Sequence, residues 1–287
     1  KYYHMHYRCH RITGLLIFAL FGLIHVQAQH LEAGLQGGVA VYQGDLSPDN
    51  FLNNFRATRP ALGAFIRYNP MDMLSVRIGF TYAQLHGDDA LSDRARNLNF
   101  DSDILEGSLT AEWNILGYQP YGLYRVFSPY LFGGIAFFNF NPTTEYEGET
   151  VELQPLGTEG QGSANLPGRG EPYNVTEWAI PFGVGVKYAI NDKWNIGLEA
   201  GMRYTFTDYL DDVSTTYVNF EDLAQANGEL AALLSNRSGQ PVSTGEVRGN
   251  SDVNDWYFIT TIFISYNFLD NGLVGSRGYN RRKRGCY

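Results

Sequence analysis

Few side chains in this sequence stand in patterns that suggest chemistry, and they gather in two stretches. The first is TDYLDDVSTTYV at 207–218, where Asp208, Asp211 and Asp212 sit among hydroxyls. Carboxylate oxygens are the ligands a calcium ion takes. The spacing D-x-x-D-D nevertheless lacks the D-x-D-x-D-G alternation of a calcium loop, so a metal site is the weaker reading. Asp and Thr suit turns and helix caps equally well, because their oxygens accept nearby backbone N–H groups. The second stretch, QLHGDDALSD, holds His86 close to Asp88 and Asp89. A hydrolase using histidine as its base would have to use His86, whereas the plainer reading is a histidine on a surface loop.

The elements that position these groups begin with an expected leader. A basic segment, KYYHMHYRCHR, precedes the apolar run ITGLLIFALFGLIHV and the small-residue site Val26-Gln27-Ala28. That order describes a secretory signal over 1–28, cleaved after Ala28. The apolar run is short of the ~20 residues that a spanning helix needs. Cys9 lies before the run and not at the cleavage point, so no lipid-acceptor cysteine is expected. Cleavage removes His4, His6, His10 and His25 and leaves His30, His86 and Cys286. One cysteine makes no internal disulfide. His30 falls at the new amino terminus, a poor place for an oriented base. The net charge of −9 argues against a nucleic-acid partner, and no cofactor is expected.

Beyond the leader the hydrophobic pattern has period two. From Lys193 to Phe206, Trp194, Ile196, Leu198, Ala200, Met202, Tyr204 and Phe206 alternate with Asn195, Gly197, Glu199, Gly201, Arg203 and Thr205. The same alternation predicts about eight strands, near 31–43, 60–68, 72–84, 102–115, 127–140, 177–190, 193–206 and 255–268. Long strands with aromatic ends, one apolar face and one polar face match an outer-membrane barrel. A soluble barrel or sandwich with its apolar face inward is the alternative. Gly, Glu and Arg on the polar face suit a narrow lumen better than a wetted exterior. The expected fold is therefore all-β: a transmembrane antiparallel up-and-down barrel over 29–268, with a basic periplasmic tail at 269–287.

Loop lengths support this topology. The connections NPMD and ND are short, while 44–59, 85–101, 141–176 and 207–254 are long and hence external. LGYQPYGLYRV is a longer turn on the periplasmic side. Within the longest loop, NFEDLAQANGELAALLSNRS predicts a helix capped by Asn219, with Leu223, Ala226, Leu230 and Leu234 on one face. LQPLGTEGQG is its nearest packing candidate. Eight strands leave an interior that side chains fill. Glu32, Glu106, Glu112, Glu177 and Glu199 are therefore expected to share the lumen with Arg67, Arg77, Lys187 and Arg203, as a plug of salt bridges and not an open pore.

Six segments, YQGDL, RPALGAFIRYNP, YLFGGIAFFNFNP, ELQPLGTEGQG, AIPFGVGVKYAI and TFTDYLDDVSTTYV, together resemble the PorG-like outer-membrane barrels of the type IX secretion system. The resemblance implies a non-enzymatic subunit in the outer membrane of a Gram-negative bacterium. Its implied partners are membrane lipids, a periplasmic ring lipoprotein with its partner subunit, and other outer-membrane barrels. Some of these systems also support gliding. A subunit of another envelope complex is the alternative, as is a barrel hydrolase using His86. On the periplasmic side, Tyr118, Tyr121, Tyr124 and Arg125 of the long turn, and Arg281, Arg282, Lys283 and Arg284 of the tail, are the candidate partner contacts.

Overall fold

The computed structural model describes residues 31–48, 51–92, 94–119, 125–166 and 168–268. The expected signal peptide and the tail with Arg281, Arg282, Lys283 and Arg284 lie outside these residues, as do Tyr121 and Tyr124. In chain order the elements are β1 (Leu31–Gln43), α1 (Phe51–Arg56), β2 (Arg59–Met71), β3 (Leu74–Asp88), β4 (Asn99–Asn114), β5 (Phe127–Tyr146), β6 (Glu149–Glu152), β7 (Thr176–Ala189), β8 (Trp194–Thr205), α2 (Phe220–Asn227), α3 (Glu229–Ser235) and β9 (Trp256–Asn267).

Eight of these strands form one closed antiparallel barrel. The sheet runs β4-β3-β2-β1-β9-β8-β7-β5, and β4 also pairs with β5 to close the ring. Short β6 is a hairpin on the upper end of β5, pairing Thr143–Tyr146 with Glu149–Glu152, and adds nothing to the circumference. First and last strands meet from Glu32↔Asn267 to Gln43↔Trp256. Closure leaves no open edge in the barrel wall, which is what allows strands to lie in hydrocarbon. Among the described residues no helix is long and apolar enough to cross a membrane.

Alternation then sorts the side chains. Leu35, Ile66, Ile78, Leu109, Ile135, Val184, Leu198 and Ile264 all point outward and are exposed. A belt of aliphatic side chains on the outside of a closed barrel faces acyl chains, not water. Aromatic residues mark its two margins. Trp194 packs edge-on against Tyr266 at the short-turn end, and Phe137 against Trp178 at the long-loop end. The protein is an outer-membrane barrel, with its short turns periplasmic and its long loops outside the cell.

Three strands run past their predicted external ends by three residues or more. β3 has 15 residues, β4 has 16 and β5 has 20, whereas roughly 9–11 tilted residues span a bilayer. The excess stands above the belt on the external side. There the outward residues turn polar while the ladder continues from Asp88↔Asn99. Hydrophobic alternation ends at the bilayer surface, but backbone pairing does not, so a pattern read from apolar residues stops short.

The wall is tightest where backbones approach. A Cβ on inward-facing Gly38 would lie 1.9 Å from the carbonyl oxygen of Thr260, whereas one on outward Gly107 meets nothing nearer than 4.0 Å. Gly38→Val is expected to block closure of the β1–β9 seam, and Gly107→Leu to be tolerated. Unheated gel mobility checks this: the folded, heat-modifiable band should vanish for the first variant and persist for the second.

Candidate functional site

The barrel interior is filled from bottom to top by three different kinds of contact. Its middle is ionic. Arg67 lies between Glu32, at 2.6 Å, and Glu112, at 2.9 Å. Lys187 reaches the other oxygen of Glu112 at 2.9 Å. Arg77 bridges Glu112, at 3.5 Å, to Glu199, which it grips with both terminal nitrogens at 2.5 and 3.0 Å. Higher up, Arg203 pairs with Glu106 at 3.2 Å.

These groups come from β1, β2, β3, β4, β7 and β8, and β5 and β9 supply neutral partners. Tyr130 of β5 donates to Glu199 at 2.7 Å, Tyr257 of β9 to Glu106 at 2.8 Å, and Ser265 of β9 to Glu32. Phe rings complete the cage. The Arg67 guanidinium stands 4.7 Å from the Phe65 centroid and 5.1 Å from that of Phe263, and Arg77 stands 5.3 Å from that of Phe132. Four carboxylates thus meet four cations inside a water-poor tube, and the net charge of the network is zero. Burial of so many ions is tolerable only with this pairing.

Glu177 does not belong to this network. It is on the inward register near the top of β7, opposite Phe138, yet it is half-buried and makes no ion pair among the described residues. The period-two rule assigned its face correctly, but its height puts it at the rim, where water competes.

The periplasmic mouth is closed by a residue expected to serve elsewhere. Tyr118 is buried, donates to Asn195 Oδ1 at 2.6 Å and lies 4.8 Å beneath the Lys187 ammonium. It is a stopper and not an exposed partner contact. The turn carrying it folds inward because Gly117, at φ 71°, turns the chain and Tyr118 N donates to Asp72 O. Arg125 stays exposed at the rim, 3.7 Å from Asp72.

The external mouth is closed by a lid, and here the stretch at 207–218 finds its place. Leu210 and Val213 descend into an apolar layer with Tyr42, Leu46, Phe100, Ile104, Phe138 and Phe140. An aromatic stack carries the interior upward: Phe140 lies on Tyr173 at 6.2 Å, and Tyr173 on Tyr209 at 4.5 Å with planes 7° apart. The three aspartates diverge and do not converge on a metal position. Asp211 accepts from Tyr42, Leu46 N and Val213 N. Asp212, at φ 64°, accepts from Thr158 at 2.5 Å and Tyr173 at 2.7 Å. Asp208 shares none of the donors that Asp211 and Asp212 accept, although its charge acts on Asp211 and Asp255, and among the described residues no group of acidic, His or Cys side chains is arranged to hold a metal.

Glu159, inside LQPLGTEGQG, is the lid's other anchor. Its carboxylate accepts from Ser214 N, Thr215 N and Thr215 Oγ1 and pairs with Arg248 at 2.9 Å. Arg248 reaches on to Asp212 at 3.7 Å. The two motifs therefore hold each other shut. The predicted helix is two, α2 and α3, broken at Gly228, whose φ is 99°. Asn219 caps the first, and Leu223, Ala231 and Ala232 pack with Val218, Leu156 and Leu166. Asn227 Nδ2 donates to the carbonyls of Leu156, Gly157 and Gln161. No simple spacing announces Glu159, Arg248 or Tyr173, because their partners lie tens of residues away.

His86 is not on a loop but near the end of β3, facing outward. Its Nδ1 is 2.9 Å from Asp101 Oδ1, and Arg59 lies 3.6 Å from the same oxygen. Asp88 caps the following turn through Ala90 N, and Asp89 is buried against Arg96 at 2.8 Å. The acids near His86 in sequence thus hold backbone and arginine, and its actual partner comes from the neighbouring strand.

Burial pushes the Asp208 carboxyl up to about 7 and that of Asp212 up to about 6, with Arg248 pulling the latter down. Asp211 and Asp255 are also raised by burial. Both lie within hydrogen-bonding distance of Tyr42 Oη, at 2.7 and 2.8 Å. One hydroxyl has one proton, so the second contact needs a proton from a carboxyl.

Two outcomes follow from these contacts. Arg67→Ala strips Glu32 of its cation and is expected to cost about 3–5 kcal/mol, read as a lower midpoint in urea unfolding in micelles. Because the folded lid holds protons more tightly than the unfolded chain, its stability is full below the unfolded carboxylate value and is lost as pH rises through 6 to 7. Hydrogen exchange of the amides at 208–217, corrected for intrinsic rate, should show easier opening at about pH 8 than at about pH 5, and Asp208→Asn should flatten the trend.

Comparison with known proteins places these features in context. No curated protein sequence matches the chain. Among solved structures, Neisserial surface protein A is similar at 10% identity, with 83% of this chain and 97% of that one covered and a TM-score of 0.43. The attachment invasion locus protein Ail of Yersinia pestis is similar at 8% identity, with 84% and 99% covered and a TM-score of 0.38. The N-terminal β-barrel domain of Pseudomonas aeruginosa OprF gives 10% identity, 83% and 97% coverage and a TM-score of 0.36. Likeness at that level adds nothing to the strand pairing described above, which establishes the barrel by itself. A domain family described as a domain of unknown function (DUF6089) matches residues 11–154 and 168–231, a span that includes the lumen charges from Glu32 to Arg203 and the stretch at 207–218, and the chain belongs to that family.

Proposed function

We propose that this barrel is a non-enzymatic outer-membrane subunit of a type IX protein secretion machine, attached to that machine's periplasmic ring lipoprotein and its partner subunit. The observation that carries this reading is occlusion at both ends. Tyr118 stops the periplasmic mouth, paired charges fill the middle, and the locked lid covers the top. A barrel so filled acts through its surfaces and not by conducting solutes. The segments that resemble PorG-like barrels support the same reading, since LQPLGTEGQG and TDYLDDVSTTYV are the two halves of the lid.

On this reading the lid is a rigid external face, and contact with the ring falls to the periplasmic side, where Arg125 is exposed beside Asp72. A subunit of another envelope complex would share the same occluded barrel and differ only in its partners. The hydrolase alternative rests on His86, whose ring faces Asp101 on the outer wall, above the belt.

A mild-detergent pull-down from the native envelope, with co-purifying proteins identified by mass spectrometry, tests the proposal. Recovery of a periplasmic ring lipoprotein with its partner is the expected result. Recovery of the barrel alone or with an unrelated transporter would overturn it. Loss of protein secretion in a His86→Ala strain with normal barrel levels would instead favour the hydrolase.

A further inference from the structure

Where β3, β4 and β5 rise above the belt, their outer face carries a surface pocket of about 400 Å³. Its walls are mixed, with Leu105 and the Tyr82 ring beside carboxylate, amide and hydroxyl groups. Tyr82 Oη and Gln84 Nε2 both donate to Asp103 Oδ1, at 2.7 and 2.9 Å. Asn139 gives its Nδ2 to Val175 O and Thr176 Oγ1, and Asn141 gives its Nδ2 to Glu152. The donors of this wall are thus engaged by the protein. Carboxylate and amide oxygens are what it offers a ligand, and these accept from hydroxyls and repel phosphate.

The floor changes character downward along β4. Asp101 and Asp103 give way to Leu105, Gly107 and Leu109, all outward and exposed. Gly107 pairs with Phe80 on one side and Phe137 on the other. Having no side chain, it leaves a furrow between those rings that runs into the lipid-facing belt, and a Cβ there would meet nothing nearer than the Phe137 carbonyl oxygen at 4.0 Å. An acceptor-lined pocket thus stands directly above an apolar groove, at the height where acyl chains meet headgroups.

We propose that this is a binding site for an outer-leaflet glycolipid, with its sugar hydroxyls in the pocket and an acyl chain in the Gly107 furrow. Charge complementarity selects the headgroup: Asp101 is shared with Arg59 and His86, but Asp103 has only neutral partners among the described residues, and its carboxylate favours a polyhydroxylated sugar over a phosphate diester. Continuity with the belt supplies the chain, because the furrow is already part of the surface that lipid covers. An aromatic ring beside convergent acceptors is also the chemistry that suits a pyranose, whose C–H face packs on the ring while its hydroxyls donate sideways. The inference does not depend on the secretion reading, since it concerns which lipid the outer wall holds and not which machine the barrel joins.

The test uses the full barrel in phosphatidylcholine nanodiscs doped with a diacyl glucosyl-glycerol carrying a diazirine on one acyl chain. The comparison arm is phosphatidylglycerol with the same labelled chain. Photo-crosslinks mapped by mass spectrometry are expected to concentrate on β3, β4 and β5 near 80, 107 and 137 for the glycolipid and to spread around the belt for the phospholipid. Asn139→Leu combined with Asn141→Leu should cut that enrichment about tenfold, the scale of losing one or two hydrogen bonds to a ligand. Gly107→Leu should displace the acyl crosslink while leaving the heat-modifiable folded band. Equal distributions for the two lipids on the unaltered chain would overturn the proposal whatever the variants do. So would full displacement of the glycolipid by free methyl glucoside at matched concentration, which would make the furrow irrelevant.

Discussion

The circumference of the barrel sets nearly everything else. Eight strands close into a tube too narrow for bulk water and too wide for backbone alone, so its interior must be packed with side chains. The outer face is committed to lipid, which reserves the apolar side chains for that surface and leaves polar ones to fill the inside. A polar filling in a water-poor space is stable only when each charge finds an opposite one, and the lumen does so with Arg67, Arg77, Lys187 and Arg203 set against Glu32, Glu106, Glu112 and Glu199. Removal of Arg67, Arg77 or Arg203 leaves Glu32, Glu199 or Glu106 buried without its cation, so the network ties the strands together across the tube as the backbone ladder ties them around it.

The lid extends the same logic beyond the membrane. Above Glu106 the filling turns apolar, and Phe138 and Phe140 hand over to Tyr173 and Tyr209 in a continuous stack. Loop residues complete the core that the strands begin, with Leu210 and Val213 packing on strand-top aromatics. The acidic letters of the loop have a structural role: Asp211, Asp212 and Glu159 accept backbone and hydroxyl donors from segments distant in sequence. A long loop with this many buried acceptors keeps one shape, and it presents a defined face to the outside of the cell.

Occlusion at both ends moves the question of function to the surfaces. Three are distinguishable: the lid, the periplasmic rim with Arg125 and Asp72, and the outer wall above the belt, where the long strands β3, β4 and β5 expose polar side chains. Each has its own solvent. The lid faces water outside the cell, the rim faces the periplasm, and the wall faces the boundary between acyl chains and headgroups, where an apolar groove and a polar pocket meet within one strand.

The architecture was legible in the letters because lipid imposes it locally. Alternation of Ile196, Leu198 and Ala200 with Gly197, Glu199 and Gly201 needs no distant information, and neither does the asymmetry of loop lengths. The capping Asn219 and the inward glutamates could be read for the same reason: a period-two face and a helix start are properties of neighbouring residues. What only the folded chain decided depends on height and on pairing across the tube. Height left Glu177 at the rim while Glu112 entered the network, although both obey the same alternation. Cross-tube pairing drew Tyr118 out of an exposed turn and onto Lys187 and Asn195. Strand register gave His86 the Asp101 opposite it on the next strand in place of its sequence neighbours, and the folding of the lid turned Asp211 and Asp212 toward separate donors. A linear pattern specifies which face a side chain takes, but its partner is set by register and closure, and these exist only once the first strand meets the last.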